Sequence, residues 1–202
     1  MVERLRSQGI RSERVLAAMG EVPRHLFVPR SQQERAYEEV EIPLGSGEVL
    51  CRPYLLALSV QFLDLKPKEK VLQVGVGCGY CLAVLSEIAP NAYAIDRHDE
   101  AVRAAQERLR SIRRSTVRWS SGDACKGWPE HAPYDAIMVA CASEQVPDSL
   151  VQELREGGRM VVPIGSGPEQ TLTCYRKTAG RLRAEAIMAV RVKPMECQTC
   201  RR

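Results

Sequence analysis

The spacing of apolar positions divides the chain near residue 66. Before it the pattern is helical: Ser12 is placed to cap a helix that opens at Glu13 and carries Val15, Leu16 and Met19 on one face. Val22-Pro-Arg-His-Leu-Phe-Val-Pro29 breaks that helix as a loop, and the Gly-punctuated Leu44-Gly-Ser-Gly-Glu-Val-Leu-Cys-Arg-Pro53 reads as a second loop. Pro53, acceptable in a first helical turn, then predicts a helix over 54–65. Beyond it, short apolar runs alternate with amphipathic segments. Strands are predicted at 71–74, 92–96, 116–119, 134–140 and 158–163, helices at 80–89, 98–112 and 147–154, and two terminal strands at 170–176 and 183–192. The run 134–140 is apolar almost throughout, as in a strand covered on both faces. This alternation predicts an α/β fold: a doubly wound, mostly parallel, Rossmann-like sheet with helices on both faces over 66–202. An N-terminal helical segment, 1–65, precedes it within one structural unit.

Composition narrows the classes. With 45% hydrophobic and 27% charged residues, the 202-residue chain has a globular balance, and no apolar run approaches the length of a membrane span. No apolar stretch follows the N-terminal Met1-Val-Glu-Arg-Leu-Arg-Ser7, so no secretory signal is expected and a cytoplasmic location is. The net charge of +4 is spread along the chain, which gives no reason to expect nucleic acid or membrane as a partner. Eight cysteines follow no disulfide framework of a small secreted domain and read as mostly free thiols.

The candidate chemistry gathers at strand ends. Gly75-Val-Gly77-Cys-Gly79 follows a strand and opens a helix, where glycines allow a sharp turn and close ligand approach. Its third glycine comes one residue earlier than in a G-x-G-x-x-G dinucleotide fingerprint. The loop therefore fits a nucleoside without a pyrophosphate, such as S-adenosylmethionine, better than a nicotinamide cofactor; a tight turn with no ligand is the alternative. Asp96, at the end of the second strand, is placed to accept from both ribose hydroxyls, and Asp123, beyond the third strand, from an adenine amino group.

Several segments, in order, resemble the protein-L-isoaspartate O-methyltransferase family over almost the whole chain. They are Val22-Pro-Arg-His-Leu-Phe-Val-Pro29, Ala36-Tyr37, Ile42-Pro-Leu-Gly-Ser-Gly47, Pro53-Tyr54, Val71-Leu-Gln-Val-Gly-Val-Gly-Cys-Gly-Tyr80, Gly122-Asp123, Gly127-Trp-Pro-Glu-His-Ala-Pro-Tyr-Asp-Ala-Ile137 and Gly157-Gly-Arg-Met-Val-Val-Pro-Ile-Gly165. The resemblance implies methyl transfer from S-adenosylmethionine, leaving S-adenosylhomocysteine, to the carboxylate of isoaspartyl and D-aspartyl residues in damaged proteins. The ester then collapses to a succinimide that reopens partly to aspartate. It further implies that Gly75, Gly77 and Gly79 line the cofactor, Asp96 holds the ribose, Asp123 and Ala124 meet the adenine, and the loop Glu48, Val49, Leu50, Cys51 passes cofactor and substrate. A monomer acting on isoaspartyl peptides, with no metal, is the expectation. A carboxylate is already anionic at neutral pH, so no general base is required, and His25, His98 and His131 are expected at the surface or in packing.

The resemblance is weakest in that loop. The family's Gly-Gln-Thr-Ile-Ser-Gln-Pro is here Gly47-Glu-Val-Leu-Cys-Arg-Pro53, so Cys51, a weaker donor, takes the place of the substrate-holding serine, and Val49 replaces a threonine. Arg52 is placed either to promote a Cys51 thiolate or to attract the substrate. Val-Thr-Ala-Ala-Ala-Pro becomes Val139-Ala-Cys-Ala-Ser-Glu144, and Gln73 stands where an acidic residue is usual. Three readings stay open: a repair methyltransferase that tolerates Cys51; a relative that binds the cofactor but has lost activity or takes another carboxylate; and a thiol-based metal or redox module. The third rests on Cys78–Cys81 at a helix N-terminus, which lowers thiol pKa, and on Cys197–Cys200 as zinc ligands.

Overall fold

The computed structural model describes residues 1–45, 47–114 and 116–196, with the backbone alone of Ala124. In chain order its elements are α1 (Val2–Ser7), α2 (Glu13–Glu21), β1 (Ile42–Gly45), β2 (Glu48–Leu50), α3 (Pro53–Leu63), β3 (Val71–Val74), α4 (Tyr80–Ile88), β4 (Ala92–Asp96), α5 (Asp99–Ser111), β5 (Arg118–Ser121), β6 (Tyr134–Val139), α6 (Asp148–Glu153), β7 (Leu154–Ile164), β8 (Gln170–Thr178) and β9 (Arg181–Val190). Seven strands form one sheet in the order β5-β4-β3-β6-β7-β8-β9. The first five run parallel, with Val71 opposite Ala92 on one side and Ala136 on the other; β8 and β9 are antiparallel additions. The chain winds outward from β3 to β5 and returns to β6, which makes the β3/β6 boundary the topological switch point, where open α/β sheets bind ligands.

Period-two alternation assigns each strand residue to one of two apolar layers. Val71, Ala136 and Met138 join one layer with Leu5, Met19 and Phe27 of the N-terminal segment and with Leu82 and Leu85 of α4. Leu72, Val74, Ile137 and Val139 join the other with Leu150 of α6. Ser12 caps α2 through the Val15 N–H, and α5 buries Val102, Ala105 and Leu109 on one face while acidic residues open it and arginines close it. A buried ion pair ties the entry of β3 to β7: Arg159 donates to both Glu69 oxygens (2.9 and 2.5 Å) and to the Asp64 carbonyl (2.7 Å). Burial raises the Glu69 carboxyl pKa, but the bonds from Arg159 and the Lys66 N–H outweigh it and hold the group below its ordinary value.

The structure departs from the predicted elements at three places. The loop expected over 44–53 contains the antiparallel pair β1/β2, whose strands of four and three residues are too short to show alternation. The third predicted strand lies two residues later, because pairing with β4 (Tyr93 opposite Arg118, Asp96 opposite Ser121) sets its register while its Ser-rich sequence marks no apolar face. The helix predicted at 147–154 ends at Glu153, and Leu154 already begins β7.

Candidate active site

A cavity of about 710 Å³ opens at the switch point. Gly75 and Gly77, in the turn that leaves β3, both have positive φ (81° and 52°) and line it. A Cβ on Gly77 would meet nothing within 4 Å, so this side of the loop is open to a ligand. Gly79 does not line the cavity. It begins α4 in the left-handed region, and a Cβ there would come within 3.0 Å of Ala105 and Leu109, so it serves the close packing of α4 on α5. Asp96 Oδ2 accepts from the Val76 N–H at 2.7 Å and Oδ1 from the His98 N–H at 2.9 Å, which fixes the carboxylate in the wall with acceptor capacity left over. Gln73 lies in the same wall, buried; its Nε2 donates to the Gly75 carbonyl (2.8 Å) and its Oε1 has no partner among the described residues. An orphaned buried acceptor beside a glycine turn fits a ligand that brings donors of its own.

The opposite wall is the β1/β2 hairpin: Glu48, Val49, Leu50 and Cys51 all line the cavity, together with Cys78, Cys81 and Cys141. Arg52 does not. The guanidinium that anchors this loop is Arg24, from the first Pro-bounded loop. It is fully buried, donates to the carbonyls of Ala36 (2.7 Å) and Cys51 (2.5 Å), and lies over the Tyr80 ring at 4.8 Å. Glu39 completes the support by accepting from the Tyr54 N–H at the start of α3 (3.0 Å). Burial pushes the Cys51 thiol up to about 11 despite the opposing pull of Arg24, so it is a neutral weak donor at neutral pH, which speaks against the first of the two roles open to Arg52, promotion of a thiolate. Burial likewise raises Cys78 and Cys81, which overturns the lowering expected from the helix N-terminus. Cys51, Cys78, Cys81, Cys141 and Cys174 are free thiols, whereas Cys125 is disulfide-bonded, a departure from the expected free thiol. Among the described residues no group of three or more His, Cys, Asp or Glu is arranged to hold a metal ion; Cys197 and Cys200 lie outside the described residues.

A third wall went unseen in the sequence. Residues 191–196, beyond β9, run along the cavity, pinned to the end of β6 by the bonds from Ala142 N–H to the Lys193 carbonyl (2.9 Å) and from Met195 N–H to the Ala142 carbonyl (2.6 Å). From this strap Lys193 Nζ meets Glu48 Oε1 at 2.7 Å, and Glu196 meets Arg97 at 3.1 Å. His98 also lines the cavity, beside Asp96, while His25 bonds Tyr37 at the surface and His131 packs on Tyr93 and Trp128. Asp123 stands in the turn after β5, where its Oδ1 accepts from the Cys125 N–H (3.0 Å), and is not itself among the lining residues; the backbone of Ala124 starts a short 3-10 turn there.

Glycine loop, strand-end carboxylate and switch-point cavity together make the ligand site of a Rossmann-like fold. Residues 1–198 match the family model described as Protein-L-isoaspartate(D-aspartate) O-methyltransferase, and the chain belongs to that family. It is 41% identical over 197 residues to a protein-L-isoaspartate O-methyltransferase of Halorhodospira halophila, covering 96% of this chain and 89% of the relative, and 40% identical to that of Dictyoglomus turgidum (97% and 89%). A solved protein-L-isoaspartate O-methyltransferase superposes with a TM-score of 0.86 at 26% identity, over 96% of this chain and 65% of that one. A Plasmodium falciparum structure described as a beta-aspartate methyltransferase in complex with S-adenosyl-L-homocysteine superposes with a TM-score of 0.84 at 20% identity, over 96% of each chain.

Proposed function

We propose that the chain is an S-adenosylmethionine-dependent carboxyl methyltransferase that repairs proteins by esterifying isoaspartyl, and D-aspartyl, residues. One observation carries the reading: in a chain of this family, the glycine loop with Asp96 and the hairpin with Cys51 face a single cavity large enough for a nucleoside cofactor. When bound, S-adenosylmethionine supplies a methyl group on a positively charged sulfur. Asp96 accepts from the ribose hydroxyls, Gly77 gives the backbone its close approach while Gly75 supplies the positive-φ turn that lines the cofactor, and the unpartnered Gln73 Oε1 takes a donor of the cofactor. Asp123 and Ala124 flank the adenine. Glu48, Val49, Leu50 and Cys51 form the substrate side, with Arg52 behind them. The substrate carboxylate is ionised at neutral pH, so the residues have alignment and water exclusion to provide and no proton to remove.

The reading includes a cytoplasmic monomer that takes peptides and damaged proteins, not nucleic acid or membrane, with residues 1–65 and 66–202 acting as one unit. No helix among the described residues is long and apolar enough to cross a membrane. The test is methyl transfer from labelled S-adenosylmethionine to paired peptides containing isoaspartate or aspartate, with Cys51→Ser alongside. Methylation of the isoaspartyl peptide alone is expected. A silent native chain revived by Cys51→Ser would show that the loop has drifted from this substrate, and silence from both with cofactor bound would point to a different carboxylate.

A further inference from the structure

The substrate is an anion, yet carboxylates outnumber cations around the cavity. Glu41, Glu48, Asp96 and Glu196 line the cavity against the cations Arg97, Arg191 and Lys193. The hairpin's side chains offer little to hold a carboxylate: those of Val49 and Leu50 have no donor, and the Cys51 thiol is a weak one. Arg97 is paired with Glu196 at 3.1 Å. Lys193 is different. Its backbone is fixed at the end of β6 through Ala142, and the Val192 beside it exchanges bonds with Gln170 (2.8 and 3.0 Å). Its half-exposed ammonium reaches across to the substrate hairpin, where it donates to Glu48 at 2.7 Å, and it is close enough to Asp96 to feel that charge.

We propose that Lys193 is the carboxylate-recognising residue of this enzyme, with Glu48 as the positioning residue that holds it at the hairpin. An ammonium has three N–H donors, so Lys193 can keep Glu48 with one and present the others to the arriving substrate carboxylate as charge-assisted bonds. Recognition thereby moves from a hydroxyl in the hairpin to a cation on the strap. The inference rests on the carboxyl-methyltransferase reading and names the group that binds its substrate.

The test is steady-state kinetics with an isoaspartyl peptide for the native chain, Lys193→Met, Lys193→Arg and Glu48→Gln, with S-adenosylhomocysteine affinity measured by calorimetry for each. Lys193→Met is expected to raise the peptide KM about tenfold with kcat within about twofold, the signature of lost uniform binding. Lys193→Arg should retain most of the native KM, and Glu48→Gln, with the positioning charge gone, should raise it less than Lys193→Met does. S-adenosylhomocysteine affinity should stay constant throughout. An unchanged peptide KM in Lys193→Met overturns the proposal; so does an equal weakening of S-adenosylhomocysteine, which would make the pair a clasp for the strap. Should the native chain turn over no isoaspartyl peptide, the functional reading fails separately, and calorimetry of the peptide against the S-adenosylhomocysteine complex decides on Lys193. Binding by the native chain but not by Lys193→Met upholds it, and equal binding or none in both overturns it.

Discussion

The two principal walls of the cavity are built by different means. On the glycine-loop side, everything follows from the ends of parallel strands: the turn out of β3 and the carboxylate closing β4 are placed by the sheet, and a backbone N–H locks them together. On the other side, a short hairpin is held by side chains arriving from elsewhere, Arg24 from twenty-odd residues before it and Lys193 from a strap 145 residues beyond Glu48. The first wall is part of the sheet itself; the second depends on a few polar contacts. Substitutions should therefore separate cofactor binding from peptide binding according to which wall they strike.

The largest effect is expected below both walls. Glu69→Gln leaves Arg159 buried without its counter-charge and should cost about 3–5 kcal/mol of stability, measured by denaturant unfolding. Because the Glu69 carboxyl is held below its ordinary value in the folded chain, its contribution is complete above the unfolded carboxylate range and is lost as pH falls through the folded value. The native chain should weaken in acid more steeply than Glu69→Gln. Next comes Arg24→Met, which strips the Ala36 and Cys51 carbonyls of their buried donor; a loss of about 2–3 kcal/mol is expected, with a raised peptide KM and S-adenosylhomocysteine affinity nearly intact. If cofactor affinity falls as far as peptide affinity, the two walls are not independent.

Asp96→Ala strikes the other side. It should weaken S-adenosylhomocysteine by about tenfold or more, as expected for lost hydrogen bonds to a charged acceptor, and leave the peptide KM close to native. The smallest effect concerns Cys51. With its thiol pKa near 11, alkylation at neutral pH should be slow and should quicken about tenfold per pH unit up to that value, read by mass spectrometry of the modified peptide. Rapid modification at pH 7 would mean an exposed thiolate and a hairpin less buried than described.

Legibility in the sequence followed the same division. The glycine loop and Asp96 could be placed because each follows a strand whose apolar run is itself visible, and the switch point is a property of the strand–helix alternation. Gly79 looked like part of the ligand loop, since a glycine that admits a cofactor and one that admits a neighbouring helix have the same local spelling. The hairpin passed for a loop because its strands are shorter than one period of evidence. Arg24 sat in a recognised segment, but nothing local says that an arginine between Pro23 and His25 is buried and turned toward Cys51. The sequence left two roles open for Arg52 for a related reason: adjacency placed a charge beside the thiol, whereas burial, which only the tertiary structure reveals, decides the titration. The Lys193–Glu48 contact is the extreme case, two charges with the whole sheet between them in sequence.

The strap's attachment to Ala142 has a consequence for the order in which the site comes into being. A chain emerging from the ribosome presents the glycine loop and the hairpin while β8 and β9 are still unmade, and residues 191–196 follow only after both edge strands. The cavity acquires its last wall from the segment made last, so closing it requires that segment to dock on Ala142 after the sheet's own sequence is complete.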